Sequence, residues 1–160
     1  MSAQHTDQIL TAYRIGALNG KHPLYGDEGS RFYPGRWNKR SSPIVYCSQH
    51  YSTQILEKLV HANGVMPPDL YFITISIPKG ICYEKFQTAA HSGWDGKSQR
   101  ICKEFGDRWV REKRSAILLV PSIPARFETN ILVNLAHDAS KAITYERAKR
   151  ISWDDQLYRS

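Results

Sequence analysis

The chain has 160 residues, 41% of them hydrophobic, which predicts one compact domain with a core of its own. It carries 22 Lys and Arg against 15 Asp and Glu, and this formal charge of +7 favours polyanionic ligands or an acidic protein partner without choosing between them. Three separated cysteines, short apolar runs and no signal-peptide pattern lead us to expect a reduced protein of the cytoplasm, with no disulfide framework and no membrane span.

The order of predicted strands and helices indicates an α+β fold. Strands are expected where β-branched and aromatic residues cluster or alternate, and helices where apolar residues recur every three to four positions. The predicted strands are 12–16, 43–48, 70–77, 81–83, 115–120, 130–134 and 142–145, and the predicted helices are 51–62 and 98–113. Strands outnumber helices and do not alternate regularly with them, which argues against a doubly wound sheet.

A long connecting loop is predicted at 18–35, and it runs into an unusual stretch at 29–38. That stretch contains two glycines, two aromatic residues and the guanidinium groups of Arg31 and Arg36. Guanidinium forks match phosphate oxygens, so a phosphate-bearing ligand is the first hypothesis. The alternative is a tight surface turn whose arginines are solvated.

The helix predicted at 51–62 has an amphipathic pattern, with Ser48, Ser52 or Thr53 available as its N-cap. Its apolar stripe comprises Tyr51, Ile55, Leu56, Leu59 and Val60. Glu57 lies off the centre of this stripe, and taken alone it is most simply an exposed glutamate.

Ser122 follows the apolar strand 115–120 and lies between two prolines that fix the backbone around it. Such a serine either lines a cleft or simply turns the chain. Phosphate-binding glycine loops, dinucleotide fingerprints, zinc-protease motifs and nucleophile elbows are all missing from the sequence. The six histidines have no metal-ligand spacing, so we expect no metal.

Several short motifs follow one another along most of the chain. They are Tyr13-Arg14-Ile15, Gly35-Arg36-Trp37-Asn38, Tyr46, Glu57, Val120-Pro121-Ser122 and Asn130-Ile131-Leu132-Val133-Asn134. This order resembles the RES domain family, named for its Arg, Glu and Ser. The resemblance implies a single RES domain over 1–160, with a motif-bearing core at about 11–146. One departure is Pro34, where family members often have another glycine, and it leaves the exact shape of this loop open.

The resemblance also implies a fold and an activity. The fold would be similar to ADP-ribosyltransferases: a split, mixed or antiparallel β-sheet core flanked by a few helices. The family consists of bacterial toxins that consume NAD as substrate, not as cofactor, by breaking its nicotinamide–ribose bond. The acceptor of ADP-ribose is left open between water, inorganic phosphate as a co-substrate, and a target protein.

A partner follows from the same resemblance. The family's antitoxins typically join a helix-turn-helix DNA-binding part to a segment that blocks the toxin's cleft. We therefore expect a hetero-oligomer with a cognate antitoxin, contact with DNA only through that antitoxin, and no membrane partner.

By resemblance, the catalytic residues would be Arg36, Glu57 and Ser122. The NAD-binding residues would be Arg14, Arg36, Tyr46, Ser122 and Asn130. Arginines can hold a diphosphate through charge-assisted hydrogen bonds, and a carboxylate such as that of Glu57 stabilises the ribosyl oxocarbenium ion formed during cleavage. Tyr46 could stack on the nicotinamide ring, and Ser122 could bond to its amide or to ribose. Whether Tyr33, His50 and Asn130 enter the cleft is left open.

Two hypotheses from other classes remain at this point. A basic RNA-binding protein or ribonuclease would use Arg14, Arg31, Arg36 and Arg40 with the aromatic residues as a groove along the nucleic-acid backbone. A non-enzymatic partner of an acidic protein would use the +7 charge for docking.

Overall fold

A nine-stranded mixed sheet forms the framework of the described part of the chain. The computed structural model describes residues 3–18, 23–63, 65 and 68–157. The strands are β1 Gln4–His5, β2 Leu10–Ala17, β3 Ile44–Ser48, β4 Leu70–Ile77, β5 Cys82–Lys85, β6 Ile117–Pro121, β7 Thr129–Asn134, β8 Thr144–Tyr145 and β9 Lys149–Arg150. The helices are α1 Glu28–Phe32, α2 Tyr51–His61 and α3 Arg100–Arg111, with short 3₁₀ turns at Thr88–Ala90, Asp138–Ala142 and Asp155–Leu157.

The strands run in the order β1-β5-β6-β7-β3-β2-β4-β8, and β9 also pairs with β4. Only the β5–β6 pair is parallel, and every other pair is antiparallel. This arrangement confirms the predicted α+β class with a mixed, mainly antiparallel sheet and a few flanking helices.

The sheet is nearly split between β2 and β3. These two strands pair only at Tyr13 and Ser48, whereas β2 pairs with β4 along its whole length. Beyond that point the carbonyl of Tyr46 accepts a hydrogen bond from Nη1 of Arg14 at 2.8 Å instead of from a neighbouring strand. The guanidinium thus satisfies a backbone group that the opening would otherwise leave without a partner.

Alternating side chains of the central strands build cores on both faces of the sheet. On β7, Ile131 and Val133 belong to one buried cluster and Leu132 to another. On β4, Ile73, Ile75 and Ile77 share the first cluster, as the alternation in the sequence predicted.

Helix α2 covers one end of the sheet with a narrower stripe than predicted. Tyr51, Ile55 and Leu59 pack against a cluster around Ile15, whereas Leu56 and Val60 are 41% and 55% exposed. The prediction was wrong for Leu56 and Val60, because residues at i and i+4 from Tyr51 already fill the contact with the sheet.

Other predictions need smaller corrections. The loop predicted at 18–35 contains α1, because the single hydroxyl of Ser30 anchors a turn there, within hydrogen-bond distance of the carbonyls of Asp27, Ser42 and Ile44. The N-cap position of α2 is His50, with no side-chain cap bond. Residues 19–22, on which part of the loop prediction falls, lie outside the described residues.

Helix α3 approaches the loop that carries Trp37 unusually closely. A Cβ at Gly106 would lie 1.8 Å from the carbonyl oxygen of Trp37, so only glycine permits this contact. The contact fixes the end of the 29–38 stretch against a helix that buries Trp109 and Cys102.

We therefore expect Gly106→Ala to lower the free energy of unfolding by about 3 kcal/mol, because backbone must move to admit the methyl group. Urea denaturation of the purified protein measures the effect. The exposed Arg108→Ala on the same helix is the matched control and should change little. Equal stability of the two variants would contradict this packing.

Candidate active site

A cleft of about 660 Å³ lies where the sheet opens between β2 and β3. Its walls come from the sheet, from the loop after α1, from one face of α2 and from the turn after β6. The lining residues used below are Arg14, Gly29, Tyr33, Pro34, Gly35, Arg36, Tyr46, Cys47, Gln54, Glu57, Lys58, Val60, His61, Pro121, Ile123, Pro124 and Asn130.

The polar face of α2 forms one wall of this cleft. Gln54, Glu57, Lys58 and His61 all line it, at the i, i+3, i+4 and i+7 spacing that puts residues on one helical face. Because Tyr51, Ile55 and Leu59 hold the other face against the sheet, the helix aims its polar side chains inward.

A one-way chain of hydrogen bonds fixes the Glu57 carboxylate. The amide of Ile15 donates to Oε1 of Gln54 (3.0 Å), and Nε2 of Gln54 donates to Oγ of Ser48 (2.8 Å). The Ser48 hydroxyl donates to Oδ1 of Asn130 (2.7 Å), and Nδ2 of Asn130 donates to Oε1 of Glu57 (2.6 Å). Buried polar groups that are satisfied in this way are rigid, so Glu57 is held in one place.

Ser122 meets the same carboxylate from the other side. Its hydroxyl donates to Oε1 of Glu57 at 2.8 Å and accepts from the amide of Ala125 at 3.1 Å. The side chain is fully buried, so it reaches the cleft through Glu57. Both donors act on Oε1, and Oε2 of Glu57 has no hydrogen-bond partner among the described residues.

The loop carrying Arg36 is built around Asn38. The buried Asn38 accepts at Oδ1 from the amide of Gly35 (2.8 Å) and from the hydroxyl of Tyr46 (2.6 Å), and its Nδ2 donates to the carbonyls of Ser30 and Lys39. A Cβ at Gly35 would lie 2.9 Å from the Tyr46 hydroxyl, so glycine is required there.

Tyr46 forms part of the wall of the cleft. Its hydroxyl is occupied by Asn38 and by the amide of Trp37 (3.1 Å), and burial raises its pKa well above the usual value. The phenol is therefore neutral and fixed, and only its ring faces the cleft.

Arg36 extends from this loop to the turn at 94–96. Its Nη1 donates to the carbonyls of Trp94 and Gly96 at 3.2 Å each, and its guanidinium also contacts the thiol of Cys102. Since a guanidinium has five N–H donors, part of it remains available to an anion.

Arg14 and Lys58 add positive charge at another part of the cleft. Arg14 donates from Nε to the carbonyl of Leu24 (2.6 Å) and from Nη1 to that of Tyr46, and burial lowers its pKa below the ordinary value. Burial, and then the neighbouring Arg14 charge, lower the pKa of Lys58 to about 8. Neither forms a salt bridge with a carboxylate of the described residues.

The RES domain family model matches residues 11–154. The chain belongs to the RES domain family. Among curated relatives, the "Prs ADP-ribosylating toxin" of Sphingobium sp. is 32% identical over 136 residues, which cover 82% of this chain and 84% of that protein. The "Toxin Res" of Photorhabdus laumondii is 26% identical over 154 residues, which cover 94% of this chain and 99% of that protein.

A solved structure supports the fold of this RES domain. A chain in the crystal structure of the M. tuberculosis MbcT–MbcA toxin–antitoxin complex superposes with a TM-score of 0.73 over 92% of this chain and 87% of that one. At 15% sequence identity this likeness shows the fold alone. The extent of the domain over 1–160 stays a prediction.

The RES domain brings together the catalytic and NAD-binding residues that the resemblance suggested. Arg14, Arg36, Tyr46, Glu57 and Asn130 line the cleft, and Ser122 contacts Glu57. Arg31, the other arginine of the 29–38 stretch, pairs with Asp27 and is not among the lining residues. Of the three residues whose place was open, Tyr33 and Asn130 line the cleft, whereas His50 contacts Glu128 at 2.7 Å and is not among the lining residues.

Sequence reasoning missed Gln54, Lys58 and His61. Their signal was present: they share a helical face with Glu57, which a helical projection of 51–61 displays. It also missed Asn38 as the centre of the Arg36 loop, although an amide beside Gly-Arg-Trp is a common way to satisfy backbone groups in a turn.

Replacing Gln54 tests the hydrogen-bond chain. We expect Gln54→Leu to lower the free energy of unfolding by about 2 kcal/mol, because the amide of Ile15 loses its buried acceptor. The exposed Gln49→Leu is the matched control and should stay near wild type in the same urea titration. If Gln54→Leu is as stable as wild type, the chain of hydrogen bonds through Gln54 does not hold α2 to the sheet.

Proposed function

We propose that this RES domain is the toxin of a toxin–antitoxin pair, and that it consumes NAD by cleaving the nicotinamide–ribose bond. The observation that carries the proposal is the fixed Glu57 carboxylate, the one carboxylate among the described residues lining a cleft that also holds Arg14, Arg36 and Lys58. That combination fits a substrate that carries phosphate and develops positive charge at a sugar carbon during reaction.

A cleft with Glu57 as its one carboxylate among the described residues is sufficient for the departure of nicotinamide. Ordinary glycosides need a second carboxyl group as general acid to protonate the departing oxygen. Nicotinamide in NAD is already a cation at the bond to ribose. It departs with the electron pair of the C1′–N bond as a neutral molecule, so no acid is required.

Glu57 then has two tasks. Its fixed charge stabilises the oxocarbenium ion at C1′, and Oε2 is available to accept a hydrogen bond from a ribose hydroxyl. Ser122 and Asn130 position this carboxylate through Oε1. Arg36 binds the diphosphate through its remaining N–H donors, and the ring of Tyr46 forms a flat surface for nicotinamide.

The acceptor of ADP-ribose distinguishes two variants of this function. Transfer to water or inorganic phosphate would make the chain a glycohydrolase or phosphorylase. Transfer to a protein would make it a mono-ADP-ribosyltransferase, and the name of the Sphingobium relative, an ADP-ribosylating toxin, favours testing that variant too. In both variants NAD is a substrate, and no bound cofactor is needed.

The partner we propose is a cognate antitoxin that covers the cleft. Tyr33 and Val60 line the cleft and are 84% and 55% exposed, an apolar rim suited to burial by another protein. The structural neighbour comes from a toxin–antitoxin complex, which supports a hetero-oligomer. A helix-turn-helix part of the antitoxin would supply any contact with DNA.

The site would act in the cytoplasm, where its substrate is found. Among the described residues, no helix combines the length and apolarity that crossing a bilayer requires.

An RNA-binding groove is less well supported. Arg14 is partly buried and donates to backbone carbonyls, and Arg31 is paired with Asp27 at 2.6 Å. These arginines do not form a continuous exposed track for a nucleic-acid backbone.

Glu57→Gln tests the proposed function. Nicotinamide release from NAD, followed by HPLC with and without inorganic phosphate, should fall on the order of 1000-fold, because the charge opposite the oxocarbenium ion is lost. Growth inhibition should disappear with it. The exposed Glu104→Gln on α3 removes a charge outside the cleft and should keep full activity.

The pattern of product decides the variant. Phosphate-dependent release indicates a phosphorylase, and phosphate-independent release a hydrolase. A mass increment on a cellular protein, lost in Glu57→Gln, indicates a transferase. If Glu57→Gln consumes NAD as fast as wild type does, the proposal is overturned.

Ser122→Ala separates positioning from chemistry. It removes one of two hydrogen bonds to Oε1 and leaves the charge of Glu57, so kcat should fall only on the order of tenfold. Steady-state kinetics with NAD measures the effect. A loss as large as that of Glu57→Gln would instead assign the serine a direct role.

A further inference from the structure

Two of the three cations that line the cleft, Arg14 and Lys58, are coupled by their charges. Arg14 projects from β2 and Lys58 from α2; both line the cleft, and the charge of Arg14 acts on the Lys58 ammonium. No carboxylate of the described residues pairs with either. Two neighbouring, largely buried cations without a counter-ion repel one another, and they gain stability when an anion binds between them.

Their hydrogen-bonding capacity is mostly unused. Arg14 has five N–H donors, of which the described residues engage only those to Leu24 and Tyr46. The Lys58 ammonium has no hydrogen-bond partner among them. Gly29 lines the cleft beside Arg14, since a Cβ added to it would come within 3.9 Å of Nη2 of Arg14, and the cleft of about 660 Å³ provides the space for a ligand.

Arg36 is held by a different part of the backbone. It contacts the carbonyls of Trp94 and Gly96, whereas Arg14 contacts those of Leu24 and Tyr46, so the two guanidiniums share no partner. Each arginine can therefore bind an anion without giving up a hydrogen bond to the other's backbone partners.

We propose that Arg14 and Lys58 form an anion subsite that binds a phosphate group, separate from the one at Arg36. That the ligand is phosphate rests on the proposed function, whereas affinity for a small oxyanion follows from the two cations alone. The phosphate comes either from the diphosphate of the dinucleotide or from a free phosphate that accepts ADP-ribose.

This subsite responds to pH. Lys58 is charged below its pKa of about 8 and neutral above it, so affinity for the anion falls as pH rises through this value. The titratable or charged groups that line the cleft together with Lys58 are Arg14, Tyr33, Arg36, Tyr46, Cys47, Glu57 and His61, and of these the charge of Arg14 acts on the pKa of Lys58. Burial raises the pKa of Tyr46 and of Cys47, the latter to about 12, so neither loses its proton near pH 8.

Inorganic phosphate is the probe for the test, titrated calorimetrically onto the purified protein at about pH 7.5 and about pH 9.5. Between the lower and the higher pH, the affinity of wild type for phosphate should fall at least about tenfold more than the affinity of Lys58→Arg does. Lys58→Arg keeps its charge at both values, and it thereby corrects for titration of phosphate itself. Lys58→Gln should bind at least about tenfold more weakly than wild type at the lower pH.

Lys79→Gln is the matched control, because Lys79 is exposed and is not among the lining residues. It should bind phosphate like wild type. Lys58→Gln should also keep or raise the midpoint of thermal unfolding, since it removes a repulsion with Arg14. If Lys58→Gln binds phosphate as Lys79→Gln does, the subsite does not exist and the anion binds elsewhere.

A second titration, with ADP-ribose present, identifies the source of the phosphate. Competition would assign the subsite to the dinucleotide's own diphosphate, and simultaneous binding would assign it to a free acceptor. These are binding measurements, so their failure is distinct from failure of NAD cleavage. A protein that binds phosphate through Lys58 and leaves NAD intact would keep the subsite and overturn the proposed function.

Discussion

The hydrogen bond from Arg14 to the carbonyl of Tyr46 is the interaction on which the rest of the site depends. A sheet that opens between two central strands leaves backbone groups without partners, and such groups are costly when buried. Here a side chain bridges the gap at 2.8 Å, and the opening becomes a cleft instead of a defect. One residue thus closes the hydrogen-bonding of the sheet and brings a positive charge into the cavity that the opening creates.

The single carboxylate in this cleft is stabilised by neutral donors and not by the nearby cations. Glu57 receives hydrogen bonds from Ser122 and Asn130, so its charge is fixed without a salt bridge. If Glu57 had formed a salt bridge with Arg14 or Lys58, the negative and positive charges would have neutralised each other. Keeping them apart leaves negative charge for the sugar carbon and positive charge for phosphate, and the pKa of Lys58 is depressed by its burial first and by the charge of Arg14 second.

Most of the framework and the central residues of the site could be predicted from the sequence, because they rest on local patterns. The alternation from Leu70 to Ile77 and the apolar spacing of α2 determine their elements directly. Helix α1 could not be predicted, since Gly29 and Ser30 disfavour a helix and the contacts of Ser30 with Ser42, Ile44 and Asn38, distant in sequence, stabilise it. Lys58 was missed although it shares a helical face with Glu57, because no sequence pattern shows that the sheet opens beside that face.

The loop before Arg36 explains why the departure at Pro34 is compatible with the site. The close contact in this loop belongs to Gly35, whose missing Cβ admits the Tyr46 hydroxyl and whose amide donates to Asn38. Pro34 only contributes to the lining of the cleft, and proline there removes no donor that the described hydrogen bonds use. A fixed φ at Pro34 reduces the freedom of the unfolded chain without disturbing the Gly35–Asn38 bond. The geometry that presents Arg36 therefore depends on one glycine, and the preceding position is free to vary.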